Sequence, residues 1–326
     1  MVRVRIFCSV LLVLLASGHA SAQTASGAAP YPNRAIRIVV GFAAGAINDL
    51  TVRSIAPGLS ERLGQPVVVD NKPGAGGLIA AEHVAKSVPD GYTLLLAPTS
   101  TMAVNPAVYS KLSYDPQRDF APVSMIGNAV LYLTVNAELP VRSLAELVAY
   151  ARANPDKANY GAMATGFEVI TAALTARAGV RFETIQFKST AETMLSLLNG
   201  QIMIAYQDFN SLNAQLKTGK VRALVGTGSR RTSDLPEVPT FPELGYPDLT
   251  LDSITGIVVR RGTPDAIIAR LEKELMLVMK QPDVVERWRV LGLSPVGTTA
   301  AEYSAVIDKE LGRWVALAKQ TNFKLD

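Results

Sequence analysis

The stretch VVGFAAGAIND, residues 39–49, offers chemistry through its backbone. Two β-branched valines run into a turn of small residues, Gly41 to Ala46, and Asn48 and Asp49 stand where a helix would open. Amide N–H groups at a strand-to-helix turn, backed by the helix dipole, form a place for an anion. Small side chains at Ala43, Ala44, Gly45 and Ala46 let a ligand approach the backbone closely. The anion is either a nucleotide phosphate or something smaller.

Side-chain chemistry is sparse. The first 22 residues read as a secretory signal: Arg3 and Arg5, the apolar run IFCSVLLVLLA, then the small-residue site ASA. The run is too short for a comfortable membrane span. An N-terminal anchor is the competing reading, and Cys8 has no lipidation context. Cleavage removes the one cysteine and His19, so the exported chain forms no disulfide and keeps His83 alone. One histidine excludes multi-histidine metal sites and leaves Ser-His-Asp chemistry a single base. His83 lies in the helical pattern AAEHVAKSV, where a surface or packing role is expected. Thirty basic against 28 acidic residues remain, too slight a bias for nucleic acid or a membrane surface.

Short apolar strands alternate with helices. AIRIVVGF, PVVVDN and YTLLLAP read as strands, with helices NDLTVRSIAPGLSERLG and LIAAEHVAKSV between them. Asn48 or Asp49 is the expected N-cap of the first helix, Gly64 its end, and Pro57 its kink or break. A second unit runs from the strand VLYLTVNA through VRALVGTG, with a capping box at Ser143 and Glu146. The pattern predicts an α/β fold with largely parallel sheets. About 300 exported residues exceed one comfortable core, so two domains are expected. The expected division is residues 1–22 signal peptide, 23–30 exposed leader, 31–127 with 229–326 the first domain, and 128–228 the second. Ligands of such sheets bind at the carboxyl ends of strands. Two lobes with two crossings would close on one cleft, or stand independently.

A dinucleotide enzyme would need G-x-G-x-x-G after the first strand and an acid about 20 residues on. GFAAGA lacks that spacing, and PGAGG lacks the third glycine in register.

A longer set of segments resembles a known family. YPNRAIRIVVGFAAGAIND, LSERLGQPVVVDNKPGAGGLIAAEHVAKSVPDGYTLLL, NPAVYSKLSYDPQRDFAPVSMI, VRALVGTG with LPEVPTFPELGY, and RRGTP together resemble the Bug family. These are substrate-binding proteins of tripartite tricarboxylate transporters. The resemblance runs from Tyr31 to Asp326. It implies a two-lobed periplasmic-binding-protein fold of type II, the Venus flytrap, in the periplasm. It implies a monomer that captures a small carboxylate. Delivery is to two membrane permease subunits, or presentation to a sensor protein. It implies no catalysis, no cofactor and no metal.

The same resemblance implies the site residues. Phe42, Ala44, Gly45 and Ala46 would hold one carboxylate, with Asp49 shaping the loop. The family's paired glycines are replaced here by Gly45-Ala46, and its frequent proline by Ala43. Thr99, Ser100 and Asn105 would line the cleft or cap the next turn. In the second lobe, NYGAMATGFEVI is about two residues shorter than the family loop. Thr165 and Gly166 lie there, and Glu168 falls near a family histidine. Glu168 then faces solvent at a helix start, pairs with a cation on the ligand, or marks loss of the usual ligand. Lys188 keeps a family position. Ser189 and Thr190 stand at a helix start suited to a second carboxylate. Gln207 aligns with a family acid, and Asp208 is displaced by one. Phe42, Met163, Phe167 and Tyr206 form either a wall for an apolar ligand body or ordinary core.

Overall fold

The chain folds around strands that change neighbours at one long central element. In the computed structural model, residues 30–162, 165–187 and 189–325 are described. The signal and most of the leader lie outside them, as do Met163 and Lys188. From Arg34 onward the described residues form one compact unit.

The chain opens with β1 (Ile36–Val40), α1 (Ile47–Leu63), β2 (Val67–Asn71), α2 (Leu78–Ala85) and β3 (Thr93–Pro98). β2 and β3 flank β1, both parallel to it. Their apolar residues bury a core that includes Val39, Ala80, Leu95, Phe120 and Tyr303. α1 begins at Ile47, with Ala46 as its N-cap and no capping side chain, and ends at Gly64 in the left-handed region. The expected cap at Asn48 or Asp49 is therefore misplaced: Asp49 lies inside the first turn. Pro57 does not divide the helix, which runs through it.

β4 (Phe120–Asn136) is one 17-residue strand where the sequence suggested a strand only from Val130. The rest of the chain adds α3 (Leu144–Ala153), β5 (Asn159–Ala162), α4 (Thr165–Ala178), β6 (Glu183–Gln186), α5 (Thr190–Leu198), β7 (Ile204–Asp208), α6 (Phe209–Lys217) and β8 (Val221–Gly226). After these come β9 (Asp252–Arg260), α7 (Asp265–Val278), α8 (Pro282–Val290), β10 (Ser294–Pro295) and α9 (Ala300–Thr321). β9 lies antiparallel between β3 and β4. From Phe120 to Val130, β4 pairs with β9; from Leu131 onward it pairs with β7 and β8. β5, β6 and β7 form a second parallel set. The sheet is thus parallel in its outer parts and antiparallel where β4 and β9 pass through, which strand patterning did not show.

Thr227 ties the junction. Its N–H donates to the Leu131 carbonyl, its hydroxyl accepts from Leu131 N–H and donates to the Leu251 carbonyl, and its carbonyl accepts from Leu251 N–H. Leu235 and Val238 pack with Tyr132 and Met194, and Phe241, Leu249 and Leu251 with Leu133 and Tyr206. Trp314 of α9 joins this second core. Burying such side chains stabilises the fold by about 1.5–3 kcal/mol each.

Candidate functional site

Because β1, β2 and β3 are parallel, the segments that follow them leave the same edge of the sheet. The turn 41–46 follows β1, KPGAGG follows β2, and residues 99–105 follow β3. Their mutual approach depends on glycine. A Cβ at Gly41 would stand 2.7 Å from the Gly77 Cα, so the first two turns touch only with hydrogen there. The Cβ position at Gly77 is 3.1 Å from Thr101 Oγ1 and 3.8 Å from Phe42 Cε2. Asn105, buried, donates from Nδ2 to the Gly76 carbonyl at 3.3 Å.

Inside the turn, the Ala46 N–H donates to the Ala43 carbonyl at 3.1 Å, and the Gly45 N–H to Asp49 Oδ2 at 2.8 Å. These two amides are not bare, contrary to the expectation that the whole turn offers its N–H groups. Those of Ala43 and Ala44, and of Ile47 and Asn48 in the first turn of α1, have no acceptor among the described residues. Ala43, Ala44 and Gly45 are exposed. The uncommitted donors therefore lie in an exposed turn, at the positive end of a 17-residue helix.

Asp49 is 1% exposed and shapes the loop. Oδ2 also accepts from Arg53 Nε at 2.8 Å, and Oδ1 from Asn71 Nδ2 at 2.9 Å. Burial pushes its carboxyl up, but the Arg53, Gly45 and Asn71 hydrogen bonds outweigh that and hold it below the ordinary carboxylate range. Asn71 Nδ2 also donates to the Phe42 carbonyl at 3.1 Å. Sequence reasoning did not single out Asn71, Gly76 or Gly77. The signal was present in DN-KPGAGG, an amide at a strand end followed by a glycine-rich turn.

Thr99 follows β3 but looks inward. Its hydroxyl accepts from Ile254 N–H at 2.8 Å and donates to the Ile254 carbonyl at 3.1 Å, fastening β3 to β9. Ser100 opens a helical turn, Ser100–Val104, and its carbonyl accepts from Asn105 N–H.

In the second parallel set, Thr165, Gly166, Ser189, Thr190 and Asp208 again fall after strand carboxyl ends. The Cβ position at Gly166 lies 3.6 Å from Trp314 and 3.9 Å from Val104, which brings the start of α4 beside the segment after β3. Ser189 caps α5 by accepting from Glu192 N–H at 3.2 Å, and Thr190 opens that helix. Asp208 caps α6 by accepting from Ser211 N–H at 2.9 Å and Oγ at 2.8 Å. Both of its oxygens are committed. Gln207 is fully buried and donates to Thr193 Oγ1 at 2.8 Å. Glu168 lies in the first turn of α4 and accepts from Gln186 Nε2.

Phe167 and Tyr206 stack at 5.0 Å, 7% and 1% exposed, with the Tyr206 hydroxyl on Thr171. They pack as core, so no wall for an apolar ligand body is built from them. His83 is exposed on α2. No group of three or more metal-ligating side chains occurs among the described residues. A cavity of about 470 Å³ beside β8, lined by Leu144, Leu216 and Leu224, touches none of these residues.

Comparison with known proteins decides the family. Residues 51–323 match the model of the tripartite tricarboxylate transporter family receptor. The chain belongs to that family. It is 33% identical to protein BugT of Bordetella pertussis over 93% of this chain and 95% of that protein. The structure of periplasmic binding protein BugD superposes with a TM-score of 0.76, at 30% identity, over 90% of this chain and 99% of BugD. R. palustris Rpa4515 with adipate superposes with a TM-score of 0.79, at 31% identity, over the same shares of each chain. The α/β fold is therefore the two-lobed periplasmic-binding-protein type, and the resemblance read from the motifs holds. No helix among the described residues is long and apolar enough to cross a membrane.

Proposed function

We propose that this protein is a periplasmic solute-binding protein that captures a small dicarboxylate and delivers it to the membrane permease of a tripartite tricarboxylate transporter. One observation carries the reading: the amides of Ala43, Ala44, Ile47 and Asn48 are uncommitted at an exposed turn that opens a long helix. A carboxylate entering a closed cleft loses its water, and without replacement hydrogen bonds the cost is several kcal/mol. Those N–H groups replace the water, and the helix dipole adds about 0.3–1 kcal/mol. The adipate bound by the R. palustris relative supports a linear dicarboxylate as the ligand class.

The two lobes in this reading meet at the β4 hand-over between Val130 and Leu131. In the same reading the first lobe resumes at Leu251–Asp252 rather than at residue 229, since Leu235, Val238, Phe241, Leu249 and Leu251 share cores with second-lobe strands. The starts of α4 and α5, with Thr165, Gly166, Ser189 and Thr190, supply the opposite wall. Titration calorimetry against adipate, malate, succinate, citrate, aspartate and benzoate tests the proposal. Saturable binding of dicarboxylates with weak or no binding of benzoate is expected. Binding confined to benzoate, or to none of the acids, overturns it.

A further inference from the structure

An acid directly behind an anion site presents a problem of charge. Asp49 lies in the first turn of α1, its carboxylate 2.8 Å from the Gly45 N–H. A ligand carboxylate on the neighbouring amides would meet a like charge on a side chain that is itself 1% exposed. Asp49 nonetheless has work to do: with Asn71 it fixes the turn, since both Gly45 N–H and Asn71 Nδ2 donate to it and the same Nδ2 donates to the Phe42 carbonyl. Arg53 completes the ring, with Nε 2.8 Å from Asp49 Oδ2 and Nη2 3.3 Å from Asn71 Oδ1.

We propose that Arg53 is a positioning residue for the ligand site, and that its contribution is charge. Its guanidinium cancels Asp49, so that a carboxylate can occupy the amides that Asp49 and Asn71 hold in place. The inference rests on the functional reading above. Two features favour charge over packing. The Arg53 side chain is 50% exposed, so it fills no core space, whereas Asp49 is 1% exposed. The spacing i,i+4 also lets the pair form along the helix without help from tertiary structure. The other charged groups nearby are committed or offset. Asp70 on β2 accepts from Arg37 at 3.2 Å and lies 3.7 Å from Lys72. On α8, Glu286 and Arg287 line the groove next to Arg53, and Glu286 is paired with Arg289.

The test is calorimetric titration of the full exported chain with adipate and with malate at about pH 7.5. The proteins are wild type, Arg53→Lys, Arg53→Gln and Asp49→Asn/Arg53→Gln. Arg53→Gln weakens binding about tenfold, because the Asp49 charge is left unmatched beside the ligand carboxylate. Arg53→Lys keeps most of the affinity. Asp49→Asn/Arg53→Gln recovers much of it, since removing the second charge removes the repulsion. Melting temperatures of the ligand-free proteins establish that each is folded. A double variant no better than Arg53→Gln, or an Arg53→Gln protein with wild-type affinity, overturns the inference and leaves the functional reading standing. A wild-type protein that binds neither acid overturns both.

Discussion

Replacing Gly45 separates two demands made on one residue: a backbone conformation and a clear approach for ligand. Gly45 has φ +81°, in the left-handed region, and no heavy atom lies within 4 Å of the position a Cβ would take. A side chain there meets no clash in the ligand-free protein. Its cost is conformational, about 1–2 kcal/mol for an L-residue held left-handed. At roughly 2–4 °C per kcal/mol for a chain of this order, the ligand-free melting temperature falls by about 2–8 °C. Valine, being β-branched, should lose more than alanine in this respect. They differ above the turn, where the valine methyls project into the exposed space over Ala44. At a ligand concentration a hundredfold above Kd, binding stabilises the native state by about 2.7 kcal/mol, a rise of about 5–10 °C. Thermal melts with and without adipate check this. Gly45→Ala should keep most of the ligand-induced rise, and Gly45→Val should lose it. A full rise in Gly45→Val would show that the turn does not grip the acid.

Thr99→Val tests the assignment of Thr99 to the framework. Its hydroxyl serves only the β3–β9 seam, so stability should fall by about 1–3 kcal/mol in denaturant unfolding while affinity for adipate stays unchanged. Glu168→Gln removes one exposed pairing with Gln186 and should leave both stability and dicarboxylate affinity close to wild type. A large loss of affinity would move Glu168 into the site. Burial pushes the Tyr160 hydroxyl up to about 12, with the Thr184 hydrogen bond opposing, and burial raises Tyr114, Tyr206 and Tyr303 further. For acids whose folded pKa is raised, the associated stability is complete below pH about 10 and is lost as pH climbs through the folded values. Ultraviolet titration should show Tyr114, Tyr160, Tyr206 and Tyr303 of the native protein ionising late, and with cooperative unfolding. Early, independent ionisation of all ten tyrosines would contradict the packing.

The strand alternation, the strand-to-helix turn at 41–46 and the family were legible because each is a local property of the chain. Valine pairs such as Val39-Val40 announce buried strands, small residues at 43–46 announce an open backbone, and the ordered motifs identify a family. Which amides remained free was a different matter. Ala46 and Gly45 spend theirs on Ala43 and Asp49, and Asn71 reaches the same turn from 22 residues beyond Asp49. No spacing rule reports such a meeting, since it depends on β1 and β2 lying side by side in parallel.

Hydroxyl and aromatic residues show the same division. Thr99 and Tyr206 have side chains apt for ligand, yet both face inward, one across to β9 and the other onto Phe167. Sequence states which groups a residue carries, and the direction in which they point follows from strand pleat and helix phase, which tertiary pairing sets. The sequence by itself determined that strands, turns and helices of these kinds would form, and which family they belong to. The tertiary structure alone decided which donors stay unpaired and how β4 passes from one strand set to the other, because both depend on contacts between residues far apart in the chain.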